Sequence, residues 1–231
     1  MNLKESLKIP YRWLMRRKQT YSQTGEDIIA DFFLSDIKKG FYVDVGANDP
    51  IYLNNTYHFY KKGWRGLLIE PDAFRCRVLK TVRPGDKVLN MGVGENRSQM
   101  DFYAFKQDTY STFSKTEAED YKKIGYQLKA VVPVPVEPLK DIFFKYAKDA
   151  PIDLLSVDTE GWDFEALKSN NWGKFRPKIV IVEVVQHCGD HGVRQNSKYD
   201  EFMAAQNYIK LADTYINAIY IEQGYAKEKQ I

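Results

Sequence analysis

Cysteine is nearly absent. The 231 residues include only Cys76 and Cys188, which leaves no disulfide framework and points to a reducing compartment, the cytoplasm. No run of about 18 apolar residues occurs, which excludes a spanning helix, and the N-terminus lacks an apolar core of signal-peptide length. Neither sign of charge dominates: 34 lysines and arginines against 31 acids leave a net +3. That balance gives no footprint for a phosphate backbone, so nucleic acid is not an expected partner. Repeats and low-complexity tracts are missing too, which removes solenoids and disorder.

What is present suits one α/β domain. With 44% hydrophobic and 28% charged residues the chain can bury a real core, and its length leaves no room for two ordinary domains. Residues 1–20 read as a basic arm and 21–231 as a single domain. In the arm, Lys4, Lys8, Arg12, Arg16, Arg17 and Lys18 stand beside Leu3, Leu7, Tyr11, Trp13 and Leu14, a pattern that suits weak contact with a membrane surface. Pro10 interrupts any helix there and the apolar face is thin, which favours an arm folded on the domain.

Ser22 or Thr24 is placed to cap a helix through Glu26, Asp27 and Leu34, with the acids in its first turn. An apolar strand, Phe41 to Val45, runs into a turn with a single glycine. A helix from about Asn55 to Lys62 follows, capped by Asn54 or Asn55 and closed by Gly63, and a second strand ends on Glu70 and Pro71. The alternation continues with a helix over Asp72 to Lys80, a third strand over Val88 to Val93, the piece "MDFYAF", a helix near Glu117 to Lys123 and the strand "VVPVPVE". It closes with a helix from Leu139 to Ala147, the strand "IDLLSVD", a helix from Phe164 to Lys168, the strand "KIVIVEVV" and a hairpin around Asp213. Two prolines place "VVPVPVE" at an edge or leave it extended without full pairing. Strands alternating with helices predict an open, doubly wound, mostly parallel sheet whose ligand crevice lies beyond the carboxyl ends of the strands.

Three strands end on carboxylates, Asp44, Glu70 and Asp158, and a fourth carries Glu183 near its end. Glu70 follows Gly46 by 24 residues (70 − 46), close to the spacing at which an acid grips ribose hydroxyls. A nucleoside is implied. The first turn, Gly46-Ala47-Asn48-Asp49-Pro50, is not G-x-G-x-x-G, and Asp44 and Asp49 would repel a pyrophosphate, which argues against NAD. A nucleoside carrying cationic groups in place of phosphates resolves the conflict, and S-adenosyl-L-methionine is such a ligand.

Six blocks in order, "SQTGED", "VDVGAND", "NTY", "GWRGLLIEP", "IDLLSVDTEG" and "RPKIVIVE", make the chain resemble the FkbM family of S-adenosylmethionine-dependent methyltransferases. The resemblance covers about Ser22 to Ile221. It implies the class I methyltransferase fold, a Rossmann-like three-layer sandwich with an antiparallel last strand, and O-methylation of sugars, glycans or polyketide-type products. It also implies that Asp44, Gly46 and Asn48 contact the methionine moiety, Glu70 with Pro71 the ribose, and Asp158 the region of the methyl group, with Gln23 and Glu26 covering the site. Pro50 departs from the second glycine of many relatives. The Asp/Asn-Pro-Pro-aromatic motif of many base-amino methyltransferases is missing, and Asp158-Thr159-Glu160-Gly161 stands at that strand end.

Methylating a hydroxyl requires a base or a metal. The candidates are Asp158, Glu160 and His187, with Glu183 beside them; a divalent ion held by Asp158, Glu160 and Glu183 is the other route, since hard oxygen donors suit magnesium or manganese. "HCGDH" (His187 to His191) also admits a zinc reading, weakened by Gly189 and Gly192. Around Ser111, Tyr103, Tyr110 and Phe113 offer aromatic faces for an acceptor, or ordinary hairpin packing. The expected partner is a small-molecule or saccharide acceptor. Two alternatives stay open: methylation of a polyketide or other secondary metabolite, and a binding module without turnover.

Overall fold

A computed structural model describes residues 19–148, 150–188, 191–194 and 196–231, though not the side chains of 108, 186–188, 191–194 and 196. The basic stretch up to Lys18 therefore lies outside the described residues. In chain order the elements are α1 (Glu26–Phe33), β1 (Phe41–Val45), α2 (Tyr57–Lys61), β2 (Arg65–Glu70), α3 (Ala73–Val82), β3 (Lys87–Asn90), β4 (Gly92–Val93), β5 (Ser98–Phe105), α4 (Lys115–Lys123) and β6 (Leu128–Glu137). They continue with α5 (Leu139–Ile142), which runs on as a π-helical turn over Phe143–Ala147, then β7 (Leu154–Val157), α6 (Asp163–Lys168), β8 (Ile179–Glu183), β9 (Val185–Cys188), β10 (His191–Arg194), α7 (Asn196–Ala205), β11 (Tyr208–Asp213), β12 (Asn217–Glu222) and α8 (Gln223–Glu228). Among the described residues no helix is long and apolar enough to cross a membrane.

Seven strands form one sheet in the order β11-β12-β8-β7-β1-β2-β3. The five from β8 to β3 are parallel; β12 runs antiparallel to both β8 and β11. The last strand of the chain is thus the antiparallel one, as expected. Side chains alternate between two buried faces. Val43, Val45, Leu67, Ile69, Leu155, Val157, Val180 and Val182 pack with Ile142, Leu167, Trp172 and Met203. Tyr42, Leu68, Leu154, Ile179 and Ile181 pack with Leu34, Phe59, Trp64, Leu79 and Ala226 on the other side. Cover on both faces makes the strands near-continuous apolar runs, which is why they were legible.

Several local expectations need correction. The third strand is two: β3 joins the main sheet, whereas β4 joins a separate sheet in the order β4-β6-β5. "VVPVPVE" is therefore the middle strand of a small sheet, extended without full pairing rather than at an edge. Pro133 and Pro135 still pair only with β5, opposite Asp101 and Gln99, because β4 reaches only Val136 and Glu137; the second edge of β6 is open where the prolines fall. The α1 cap is Gly25, at φ 96°, with the Ser22 hydroxyl accepting from the backbone N–H groups of Gly25 (3.2 Å) and Asp27 (3.3 Å). Beyond β8, β9 and β10 pair as an antiparallel ribbon.

Candidate active site

Strand register builds the site. Val45 of β1 lies opposite Ile69 of β2 and Val157 of β7, and Val157 opposite Val182 of β8. The next residue on each strand, Gly46, Glu70, Asp158 and Glu183, therefore falls in one row along the carboxyl edge of the sheet. A cavity of about 470 Å³ opens on that row. Gln23, Asp44, Gly46, Asn48, Glu70, Pro71, Asp158, Glu160 and Glu183 all line it, so four strand ends, the two turns beyond β1 and β7, and the loop before α1 converge there.

Gly46 makes the convergence sterically feasible. It sits at φ +81°, and a Cβ built on it would lie 1.7 Å from the carbonyl oxygen of Asp158. Its N–H donates to the Ile69 carbonyl (2.9 Å), and the Asp158 N–H donates to the Val45 carbonyl (3.0 Å). The turn is thus wedged between β2 and β7, and glycine is required by backbone contact within the protein. Asn48 (φ 39°) and Glu160 (φ 51°) also hold left-handed backbone at the two turns, a strain that the surrounding bonds must hold in place.

Glu70 is buried. Its carboxylate accepts from the backbone N–H groups of Asn48 (2.8 Å) and Asp72 (2.8 Å), so it pins the turns after both β1 and β2. Burial pushes the carboxyl up to about 7, against the smaller downward pull of those two donors. The Oδ1 atom of Asn48 is buried in the same place and has no hydrogen-bond partner among the described residues. The pKa shift has a sign that can be tested. A carboxyl raised above its ordinary 4.5 stabilises the fold fully below that pH, and this contribution is lost as pH rises through about 7. Comparing wild type with Glu70→Gln should therefore show the wild type losing up to roughly 3 kcal/mol relative to the variant between pH 5 and 8. Parallel melting-temperature profiles would mean that Glu70 ionises normally.

Asp44 is buried in the cavity wall. Its Oδ2 accepts from Asn54 Nδ2 (3.1 Å) and Thr56 Oγ1 (2.6 Å). Burial raises its pKa, and the charge of Arg83 opposes that most strongly. Arg83, which no sequence pattern flagged, is fully buried. It donates to Asp86 Oδ2 (2.8 Å), Asn54 Oδ1 (3.1 Å), Tyr42 Oη (2.8 Å) and Thr56 Oγ1 (2.9 Å). Asn54 in turn accepts from the N–H groups of Thr56 and Tyr57 at the start of α2, although the cap residue is Thr56 and not the expected Asn54 or Asn55. Its position beside Asp44 could be guessed; its arginine could not.

Glu26 does not line the cavity. It is fully buried, and its carboxylate accepts from Thr24 Oγ1, the Thr24 N–H (2.9 Å), Thr214 Oγ1 (2.7 Å) and Asn217 Nδ2 (2.8 Å). It ties the start of α1 to the β11–β12 turn. The His187 side chain lies outside the described residues, as do the side chains of Cys188 and His191, so the "HCGDH" reading falls there as well.

Beyond β7 the chain gathers acids. Asp158, Glu160, Asp163 and Glu183 are all raised, by burial first and then by one another or by Glu117, with Asp163 reaching about 7 against the pull of its donors. Asp163 is the first residue of α6. It accepts from Thr159 N (2.7 Å), Thr159 Oγ1 (3.1 Å) and Gly161 N (3.1 Å), and so shapes the turn that carries Glu160. Thr109, Tyr110, Ser111 and Phe113 line the cavity with Phe102 and Trp162, whereas Tyr103 is not among its lining residues.

Comparison with known proteins agrees with this geometry. The family described as the methyltransferase FkbM domain matches residues 44–210. No curated protein matches. Among solved structures, a TehB-like SAM-dependent methyltransferase from Corynebacterium glutamicum ATCC 13032 Kitasato is 10% identical, with a TM-score of 0.46 over 96% of this chain and 100% of that one. A protein described as an rRNA-methylase from Clostridium thermocellum is 12% identical, with a TM-score of 0.46 over 87% and 96%. Likeness at that level carries no argument about substrate. The family match spans most of the chain, from β1 into β11, and the protein belongs to the FkbM family of S-adenosyl-L-methionine-dependent methyltransferases.

Proposed function

We propose that the protein methylates a hydroxyl group on a sugar, a glycan or a glycan precursor. One observation supports this reading above others: a single cavity holds both a run of carboxylates and a wall of Phe102, Tyr110, Phe113 and Trp162 interleaved with Thr109 and Ser111. Aromatic faces pack against the apolar faces of a sugar ring, and hydroxyls and acids take its polar edge.

The residues fit the cofactor. Glu70 is a buried acid at a strand end, suited to ribose hydroxyls, and the unpartnered Oδ1 of Asn48 offers an acceptor to an ammonium. Gln23, Asp44, Gly46, Asn48, Glu70, Pro71 and Asp158 would hold the group. When bound, S-adenosyl-L-methionine supplies a methyl group made electrophilic by its sulfonium. The protein's own task is the acceptor's proton, because an alcohol is about as weak an acid as water, near 15.7. Glu160 lines the cavity, and its raised pKa makes it a stronger base than an exposed glutamate. A cytoplasmic setting fits the cysteine usage, with Cys76 a buried free thiol.

The test is methyl transfer to a panel of saccharides, with S-adenosylhomocysteine affinity measured in parallel. Glu160→Gln should lower turnover by about a hundredfold and keep that affinity within about threefold. Unchanged turnover would remove Glu160 as the base, and transfer confined to non-sugar acceptors would overturn the substrate class.

A further inference from the structure

Glu183 is 6% exposed, and among the described residues its buried Oε2 has no hydrogen-bond partner. A buried carboxylate oxygen lacking a donor is costly, so something else must satisfy it. The charged groups acting on it most strongly are Asp158, Glu160, Asp163 and Glu117, all acids. One oxygen from each of Asp158, Asp163 and Glu183 lies within 4.8 Å of the other two. Such a group can share protons or share a cation. Asp163 favours the cation: its three partners, Thr159 N, Thr159 Oγ1 and Gly161 N, all donate, which supports its charged form and fixes its orientation as the bonds behind a metal ligand do.

We propose that Asp158, Asp163 and Glu183 bind a divalent cation, magnesium or manganese, in the cavity wall. Three hard oxygens, with no nitrogen or sulfur donor in the group among the described residues, suit those ions. Opposite ligands on magnesium stand about 4.2 Å apart and adjacent ones about 3 Å, so the three oxygens, within 4.8 Å of one another, draw closer around a bound ion. Asp158 and Glu183 line the large cavity, and Asp163 lines an adjoining one of about 150 Å³. The ion is therefore reachable from the space that Glu160 also lines. Its role rests on the hydroxyl-methylation reading, in which it lowers the pKa of the acceptor hydroxyl and Glu160 takes the proton; its binding does not.

The probe is Mn²⁺ alone, titrated into the chelator-treated full chain without cofactor or acceptor and followed by the electron paramagnetic resonance signal of free Mn²⁺. The expected result is about one ion bound per chain, displaced by Mg²⁺, with Glu183→Gln and Asp158→Asn each weakening it at least about tenfold. Circular dichroism and retained S-adenosylhomocysteine binding by Glu183→Gln show that the fold and cofactor site survive. If one variant fails to fold, the other and the wild-type stoichiometry still decide. No loss of free signal at about 1 mM protein, or binding unchanged in both variants, overturns the site and leaves proton sharing among the acids. Because this readout needs no turnover, Mn²⁺ binding without methyl transfer to any saccharide would sink the proposed substrate and not the cation site.

Discussion

Gly46→Val is expected to destabilise the protein by about 4 kcal/mol or more and to abolish measurable cofactor binding. Two separate terms add. The backbone at φ +81° puts a side chain in the left-handed region, at roughly 1–2 kcal/mol. A Cβ would also sit 1.7 Å from the Asp158 carbonyl oxygen and 2.8 Å from its carbon, and forced overpacking of this kind adds roughly 1–3 kcal/mol, with a β-branched side chain at the upper end. Relief requires the ends of β1 and β7 to separate, which moves Asp158 and breaks the register row on which the cavity depends. Gly46→Ala should follow the same course more mildly. Urea denaturation and titration with S-adenosylhomocysteine measure both effects. A Gly46→Val protein with wild-type midpoint and affinity would show that the β1 turn does not press on β7.

Arg83→Leu should lower stability by about 3–5 kcal/mol, the usual result of removing one partner from a buried ionic network. The leucine would leave Asp86 Oδ2 and Tyr42 Oη without their cation and would remove the strongest stabilising charge near Asp44. The rings of Tyr42 and Tyr60, each 5.2 Å from the guanidinium carbon, would face an apolar group. Arg83→Lys should recover little, because one ammonium cannot replace a planar fork reaching Asp86, Asn54, Tyr42 and Thr56. As Asp44 and Asn54 line the cavity, cofactor affinity should fall along with stability. A shift below about 1 kcal/mol in Arg83→Leu would mean that the network contributes no more than a surface ion pair.

The sequence alone determined the main strands of the sheet and three of the carboxylates at their ends. Strands buried on both faces must be apolar along their whole length, so Phe41–Val45, Arg65–Glu70 and Leu154–Val157 stand out, and the polar residue that breaks each run marks where the strand meets the crevice. Asp44, Glu70 and Asp158 were legible for that reason, and Gly46 because a lone glycine after a strand signals a special turn. The reason for Gly46 was not legible, since the Asp158 carbonyl that excludes a side chain comes from 112 residues further along (158 − 46). Glu26 shows the same limit in reverse. It looked like a site residue, but Thr214 and Asn217 claim its carboxylate. Arg83 and Asp163 carry no local signature, as a helix-end arginine and a helix-start aspartate are ordinary until strand order brings Tyr42 to the one and Glu183 to the other. Local pattern reports which residues a strand can bury. Which charges meet at its end is decided by register between strands far apart in the chain, and that is a property of the tertiary structure alone.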